Sequence, residues 1–531
     1  MRERVRIFEP NTVQEEGGSH PDIGIGNAKR RFAINASTSV GYLALSITFS
    51  LWYIPYLIKH LGVAAYGLVP LATSMTAYMS ILTYGLNNAV GRFLTIDLVK
   101  DDREAANRTF NTALVGAMLI VGVLFPVTLG VSYAAPHIFD VPQGSEVEVQ
   151  WLFFLVGAAF LLSIGGSSFA VSSFSCNRFD LQNWIQVLAL LVRGGLMVAM
   201  FAVFTPQLWQ IGIGTLSAAV VSSWGYVFLW NKLTPQLRVN LFDFDRFRLR
   251  ALMGMGGWVT LNQVGALLFT NIDLIVVNMV FGAETTGRYG SVLQFSILLR
   301  SLASAVAGVL APVVIAKYAQ GDVDGMVRMA RQAVKLMGLG MALPIGLLCG
   351  LARPLLGVWL GPSFQNLDVL LIILLGHLCV NLAVFPLFAL QTSANRVRWP
   401  GIANLLMGFL NLGLAIAWAK WGAWGAVGVA AAGAVALTAK NMLFTPIYNA
   451  RIFHLRWWAF SLDMLSGIIA TLVVGLAAYG ITQVYMPNGW LGLIGISVTV
   501  MIFYAVGAYA LALNRADRQL LKGVNVFPMK G

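Results

Sequence analysis

Apolar runs of about 20 residues, separated by short polar or turn-forming gaps, recur along the whole chain of 531 residues. A run of that length crosses a hydrocarbon core of about 30 Å as an α-helix rising about 1.5 Å per residue. The pattern predicts fourteen spans. The first six cover 37–59, 66–94, 110–135, 150–173, 181–204 and 209–230. The next six cover 254–281, 288–316, 329–351, 367–391, 399–419 and 424–448. The last two cover 459–485 and 490–513. Gaps carry turn formers such as Val141-Pro142-Gln143-Gly144 and Asn488-Gly489. Strands of a transmembrane barrel would alternate over about ten residues instead. The expected fold is therefore an all-α polytopic membrane protein.

Composition agrees. The chain is 58% hydrophobic and 11% charged, with a mean hydropathy of +0.75, whereas soluble domains carry about 25% charged residues. Cys176, Cys349 and Cys379 are scattered, so no disulfide framework is expected. With five histidines they show no metal-ligand spacing. The net charge of +13 fits loops facing anionic membrane lipids, not nucleic acid.

The distribution of Lys and Arg sets the orientation. With the N-terminus inside, 27 of the 35 basic residues fall at inner ends and four at outer ends, Lys59, Arg288, Arg353 and Lys420. Four remain within spans: Arg92, Arg193, Arg300 and Lys440. Adding or losing one span would scramble this split. Residues 1–36 lack a signal-peptide pattern and read as a cytoplasmic tail, as do 514–531.

The longest interior break, 231–253, separates six spans (37–230) from six more (254–450), leaving two extra helices within 451–513. Its Phe242, Phe244 and Phe247 interleave with Arg246, Arg248 and Arg250. That pattern suits an amphipathic segment on the inner membrane surface, or else a solvated loop. The halves echo one another. Leu61-Gly62-Val-Ala-Ala-Tyr66-Gly67 follows span one, and Phe281-Gly282-Ala-Glu-Thr-Thr-Gly287-Arg-Tyr289 follows span seven. Two related six-helix bundles suggest a transporter with substrate between them.

These segments, with Tyr84-Gly85-Leu86 before Arg92, Asn271-Ile-Asp273, and Pro312 followed by Tyr318…Gly321-Asp322, carry a resemblance. The chain resembles the polysaccharide flippase branch of the multidrug/oligosaccharidyl-lipid/polysaccharide exporter superfamily. The resemblance implies a V-shaped pair of pseudo-symmetric bundles. It also implies alternating-access transfer of a polyprenyl-diphosphate-linked glycan (an O-antigen, capsule or exopolysaccharide unit) across a bacterial inner membrane. Polysaccharide polymerase and export proteins are then candidate partners.

Charge at mid-membrane depth is costly and usually functional. Arg193 and Arg300 lie at the middle of spans five and eight. They are expected to line one cleft and hold phosphate or acidic sugar, since guanidinium matches anionic oxygens with a fork of donors. A structural partnership of Arg300 with Asp273 is the alternative. Arg92 and Lys440, nearer the inner ends, either form a basic mouth for the diphosphate or snorkel to lipid phosphates. Asp273 is the one acid deep in a span, and with Asn271 it is the candidate for Na⁺ or H⁺ coupling, or else a salt-bridge partner. Polar candidates for sugar contact are Asn87, Asn88, Asn183, Gln186, Asn262, Gln263, Gln294, His377, Asn381, Asn404 and Asn411, although such groups also brace helices.

No Walker-type phosphate loop and no bound cofactor are expected, and outer loops look too short for a glycan polymerase or ligase. Relatives that export drugs commonly carry a coupling acid in span one. Span one here has none, which weighs against a cation-coupled multidrug exporter.

Overall fold

A computed structural model of the chain describes residues 25–83, 90–249 and 257–514, apart from 92, 95–96, 99 and 101, together with 517–518. Among the described residues thirteen helical segments are long and apolar enough to cross a membrane, and one of them is two spans. Thr260–Gly308 runs for 49 residues, about 74 Å, or more than twice a hydrocarbon core. Within it Gly282 adopts φ 85°, ψ 177°, a conformation open to glycine and costly for other residues. The chain turns there, as it does at Gly62 (φ 83°, ψ 164°) between spans one and two. Fourteen spans result among the described residues, and most limits lie near those expected, although span three starts early at Arg103 and span nine at Val323, and the expected start of span seven at 254 lies outside the described residues. The largest difference is at the start. The first helix begins at Ile25, so the expected tail is helical from there and its earlier part lies outside the described residues.

The internal repeat is physical. Gly282 follows Gly62 by 220 residues, and the same interval separates two helix caps. Asp102 Oδ1 accepts Ala105 N–H at 2.9 Å, and Asp322 Oδ1 accepts Gly325 N–H at 2.8 Å. These carboxylates start spans three (Arg103–Ile138) and nine (Val323–Gly350). Helix pairing repeats too. Spans one and five (Phe179–Val203) pair as seven and eleven (Arg398–Trp421) do, and five pairs with six (Leu208–Leu233) as eleven does with twelve (Gly425–Ile452). Replacing Asp322 by Ala should destabilise the C-terminal bundle by about 1 kcal/mol. A lowered thermal midpoint in detergent checks this.

The two bundles meet at the end that carries the Gly62 and Gly282 turns. There spans two and eight cross at Gly67 and Gly287, again 220 residues apart. A Cβ on Gly67 would lie 2.8 Å from Ala283 O, and one on Gly287 would lie 1.9 Å from Val63 O. Each glycine thus touches the counterpart of its own neighbour, as a pseudo-two-fold axis requires. Asp140 reinforces this end. Its Oδ2 accepts Ala283 N–H at 2.8 Å, and its N–H donates to Asn278 Oδ1 at 2.9 Å. Trp359 Nε1 donates to Leu51 O at 2.6 Å across the bundles.

At the opposite end the connecting segment is strapped to span three. Asn111 is fully buried; its amide donates to Arg238 O at 2.9 Å and its Oδ1 accepts Asn240 N–H at 2.8 Å. Asn107 does the same with Gln236 O and Arg238 N–H, and Arg248 reaches Asp97 Oδ2 at 3.0 Å. Phe242 and Phe247 stay exposed. Asn111→Ala strands two backbone groups, each costing about 1–3 kcal/mol if it stays dry. Faster proteolysis at 231–250, relative to the parent chain, is the expected readout.

Candidate functional site

Inside the N-terminal half, spans one, two, four, five and six enclose a cavity of about 530 Å³, within the range of about 300–1,000 Å³ typical of small-ligand sites. Thr73, Thr76, Ser163, Ser167, Thr215, Ser222 and Ser223 supply hydroxyls, and Tyr42, Gln182, Gln186 and Tyr226 supply further polar groups. Most of those hydroxyls donate back into their own helix, as Thr73 does to Val69 O and Ser163 to Ala159 O. They therefore turn oxygen lone pairs toward the cavity, as a hydroxyl-rich ligand requires. Gln186 donates to Tyr226 OH and ties spans five and six.

Arg193 is the one charged residue of this lining among the described residues. Span five presents it beside Gly214 of span six, whose missing side chain admits the Arg193 backbone O at 3.2 Å from where a Cβ would be. Its guanidinium carbon lies 5.3 Å from the centre of the Tyr53 ring. Arg193 Nε and Tyr53 OH are both buried without a hydrogen-bond partner. A buried donor left unpaired is costly, and a ligand anion would satisfy it.

The C-terminal half holds a second, much smaller cavity, about 30 Å³, lined by Thr270, Asp273, Ser296, Arg300 and His377 among apolar groups. Asp273 Oδ2 accepts Tyr289 OH at 2.9 Å, while Oδ1 has no partner. Asn411 Oδ1, also buried, has none either, and both side chains face the bare Cα of Gly433, with Asn411 Oδ1 and Asp273 Oδ2 at 3.5 and 3.6 Å from where its Cβ would be. Arg300 lines the same cavity, with Nε 3.3 Å from Ser296 Oγ, outside ion-pair distance of Asp273.

Arg193 and Arg300 thus occupy separate cavities in separate halves, where the sequence reading put them in one cleft. Lys440 is neither in the larger cavity nor snorkelling. It is buried on a π-helical turn, Lys440–Phe444, with Nζ 5.1 Å from the Phe388 ring centre. The asparagines are mostly braces. Asn404 and Asn411 donate to Asn262 O and Leu268 O, joining spans eleven and seven. Asn381 joins span ten to twelve through Thr438 and Asn441, and bonds His377 within its own span. Asn183 joins span five to one through Thr38 and Ser39. Asn271 donates to Thr270 Oγ1 at a break in span seven, Gln263 and Gln294 are half-buried, and the Asn262 side chain is exposed. Arg92, Asn87 and Asn88 lie outside the described residues. Of the polar residues expected, Gln186 lines the large cavity. The Ser and Thr wall was missed, although 73/76 and 163/167 sit at the i, i+3 and i, i+4 spacing of one helix face.

Two bundles related by a repeat, each with an interior polar site, define a membrane transporter fold. The structure resembles a solved "Lipid II flippase MurJ, inward closed conformation" at a TM-score of 0.64 and 12% identity, covering 91% of this chain and 100% of that one. It also resembles an inward-facing multidrug resistance MATE family transporter of the MOP superfamily, at 0.55 and 15% identity, covering 82% and 96%. Residues 36–317 match the family model described as "Polysaccharide biosynthesis protein". The chain belongs to that family. It is 35% identical over 495 residues to the "Uncharacterized membrane protein EpsK" of Bacillus subtilis (strain 168), covering 92% of this chain and 97% of that protein.

Proposed function

We propose that this protein flips a polyprenyl-diphosphate-linked oligosaccharide across the bacterial inner membrane by alternating access, with both termini cytoplasmic. The observation that carries the reading is the N-terminal cavity. One guanidinium, its buried Nε without a partner, faces a wall rich in hydroxyl and amide groups, and no carboxylate lines it among the described residues. A diphosphate or acidic sugar would meet Arg193, and sugar hydroxyls would meet the Ser, Thr and Gln groups. Hydrocarbon solvates neither part, so a polar enclosure lowers the cost of crossing while the prenyl tail stays in lipid. Membership in a polysaccharide family supports the glycan, and the fold shared with a lipid II flippase supports the lipid carrier. An organic-cation exporter would want acids in this cavity.

The second cavity fits an ion-coupling role. Asp273 lines it with one buried oxygen lacking a partner, and Asn411 Oδ1, also without one, lies beside Gly433 of the lining. Such oxygens suit a proton or Na⁺, which would tie turnover to an ion gradient.

The test compares Arg193→Ala with Arg193→Lys in cells or vesicles that report arrival of the lipid-linked glycan at the outer face. The alanine variant should lose most export at normal protein level, and the lysine variant should keep a measurable part. Export by Arg193→Ala at the parent rate would overturn the reading.

A further inference from the structure

A third pocket, about 300 Å³, opens where span one meets the turn between spans four and five, lined by Arg30, Arg31, Asn35, Asn177, Arg178 and Asp180, with Ile34. Its floor is fixed. The Asn35 amide donates to Asn177 O at 3.1 Å and Asn177 Oδ1 at 3.2 Å, while Asn35 Oδ1 accepts Asp180 N–H at 3.1 Å. Asn177 holds φ 51° to make the turn. Arg178 lies against Asp180, with Nε–Oδ1 at 2.9 Å and a second bond at 3.1 Å. Arg30 and Arg31 are exposed and make no ion pair among the described residues. Three guanidiniums face one carboxylate, so the pocket carries a net charge of about +2 at neutral pH. The Arg31 and Arg178 charges also reach the Cys176 thiol, where they oppose the rise caused by its burial.

Depth selects the ligand. Arg30 and Arg31 are the last charged residues before the long uncharged run of span one, which extends to Lys59, so the pocket stands at headgroup level. The same two helices then line the large cavity. Tyr42 lies two turns beyond Asn35 on span one, and Gln182 and Gln186 follow Asp180 on span five.

We infer that this pocket binds the phosphate of a membrane lipid at the mouth of the groove between spans one and five. Two lipids supply that chemistry, the diphosphate carrier and a bulk anionic phospholipid. Only the carrier assignment rests on the function proposed above.

The test uses the purified full chain in neutral detergent and native mass spectrometry or thermophoresis. The probes are farnesyl diphosphate, dioctanoyl phosphatidylglycerol and, as the zwitterionic control, dioctanoyl phosphatidylcholine. In R30Q/R31Q the anionic probes should bind about tenfold more weakly, since each basic group near the surface attracts anionic lipid. R30K/R31K should keep most of that affinity, which separates charge from misfolding. Tighter parent binding of farnesyl diphosphate than of phosphatidylglycerol supports the carrier, and equal or weaker binding supports bulk lipid. Undiminished anionic binding by R30Q/R31Q, or phosphatidylcholine binding as tight as phosphatidylglycerol, overturns the site. Loss of export in Arg193→Ala with undiminished lipid binding in R30Q/R31Q would sink this pocket and leave the flippase reading standing. The reverse pair of results would do the opposite.

Discussion

Gly287→Val should reduce glycan transfer about tenfold or more while the protein still reaches the membrane. The reason is geometric. At the crossing of spans two and eight, any Cβ on residue 287 would sit 1.9 Å from Val63 O, so the helices must separate by more than an ångström. Backbone atoms cannot rotate aside as a flexible side chain would. Overpacking of this kind costs about 1–3 kcal/mol, enough to shift a two-state equilibrium about 5–150-fold. The shift acts on one state only, because the glycines touch when the turn end is closed. In the proposed alternating-access cycle this end closes once per turnover, and the variant would then dwell with it open. Thr286 is buried beside the crossing. In a background lacking Cys176, Cys349 and Cys379, Thr286→Cys should resist a charged thiol reagent, and adding Gly287→Val should expose it. Gly340→Ala, where a Cβ would meet nothing within 4 Å, is the neutral control. Parent-level transport by Gly287→Val, with residue 286 still protected, would show that this contact does not gate the cycle.

The same crossing shows what the sequence made legible. Apolar run length and the Lys/Arg split gave fourteen spans. The echo between the Gly62 and Gly282 segments is visible in the chain, and the backbone turns at both. Depth along a helix was equally legible, so Arg193 and Arg300 are both mid-span. Which helices a given face meets was not. On span five Gln182, Gln186 and Arg193 do mark the cavity face, at i, i+4 and i+11, but a polar face on one helix does not say which other helices it meets. For that reason Arg193 and Arg300 were put in one cleft although they occupy two. Lys440 misled similarly. Its position near a span end suggests an escape to lipid phosphate, yet Phe388 and a π-helical turn hold it inside. The Ser and Thr wall escaped notice because a hydroxyl bonded to its own helix is tolerated in any span. Only the convergence of four or five helices turns such residues into a surface. The bracing role of Asn404 and Asn411 was open to inference, since small residues and side-chain amides commonly hold membrane helices together.

Asp273→Asn should bring ion-driven transport down to the background of an uncoupled protein, at unchanged folding and abundance. The carboxylate sits deep in span seven, where an uncompensated charge costs at least about 2.5–3.5 kcal/mol. Tyr289 donates to Oδ2 at 2.9 Å, and nothing among the described residues donates to Oδ1. Arg300 shares the cavity outside ion-pair distance, so its field helps without neutralising the group at contact. A proton on Oδ1, or a cation shared with Asn411 Oδ1, would complete the arrangement, and a cavity of about 30 Å³ holds nothing larger than one water or one small ion. Asparagine keeps the shape and the bond from Tyr289 but cannot change charge, so the site would be locked in its neutral state. The identity of the ion follows from a second variant. Asn411→Ser removes the far oxygen. If Na⁺ couples transport, that variant should need a higher Na⁺ concentration and respond normally to a proton gradient. If H⁺ couples transport, its ion dependence should be unchanged while Asp273→Asn is inactive. Size-exclusion profiles report folding, since Asn411 also braces span eleven to Leu268 O. Full, gradient-dependent transport by Asp273→Asn would remove this carboxylate from the coupling mechanism and leave it a buried structural acid.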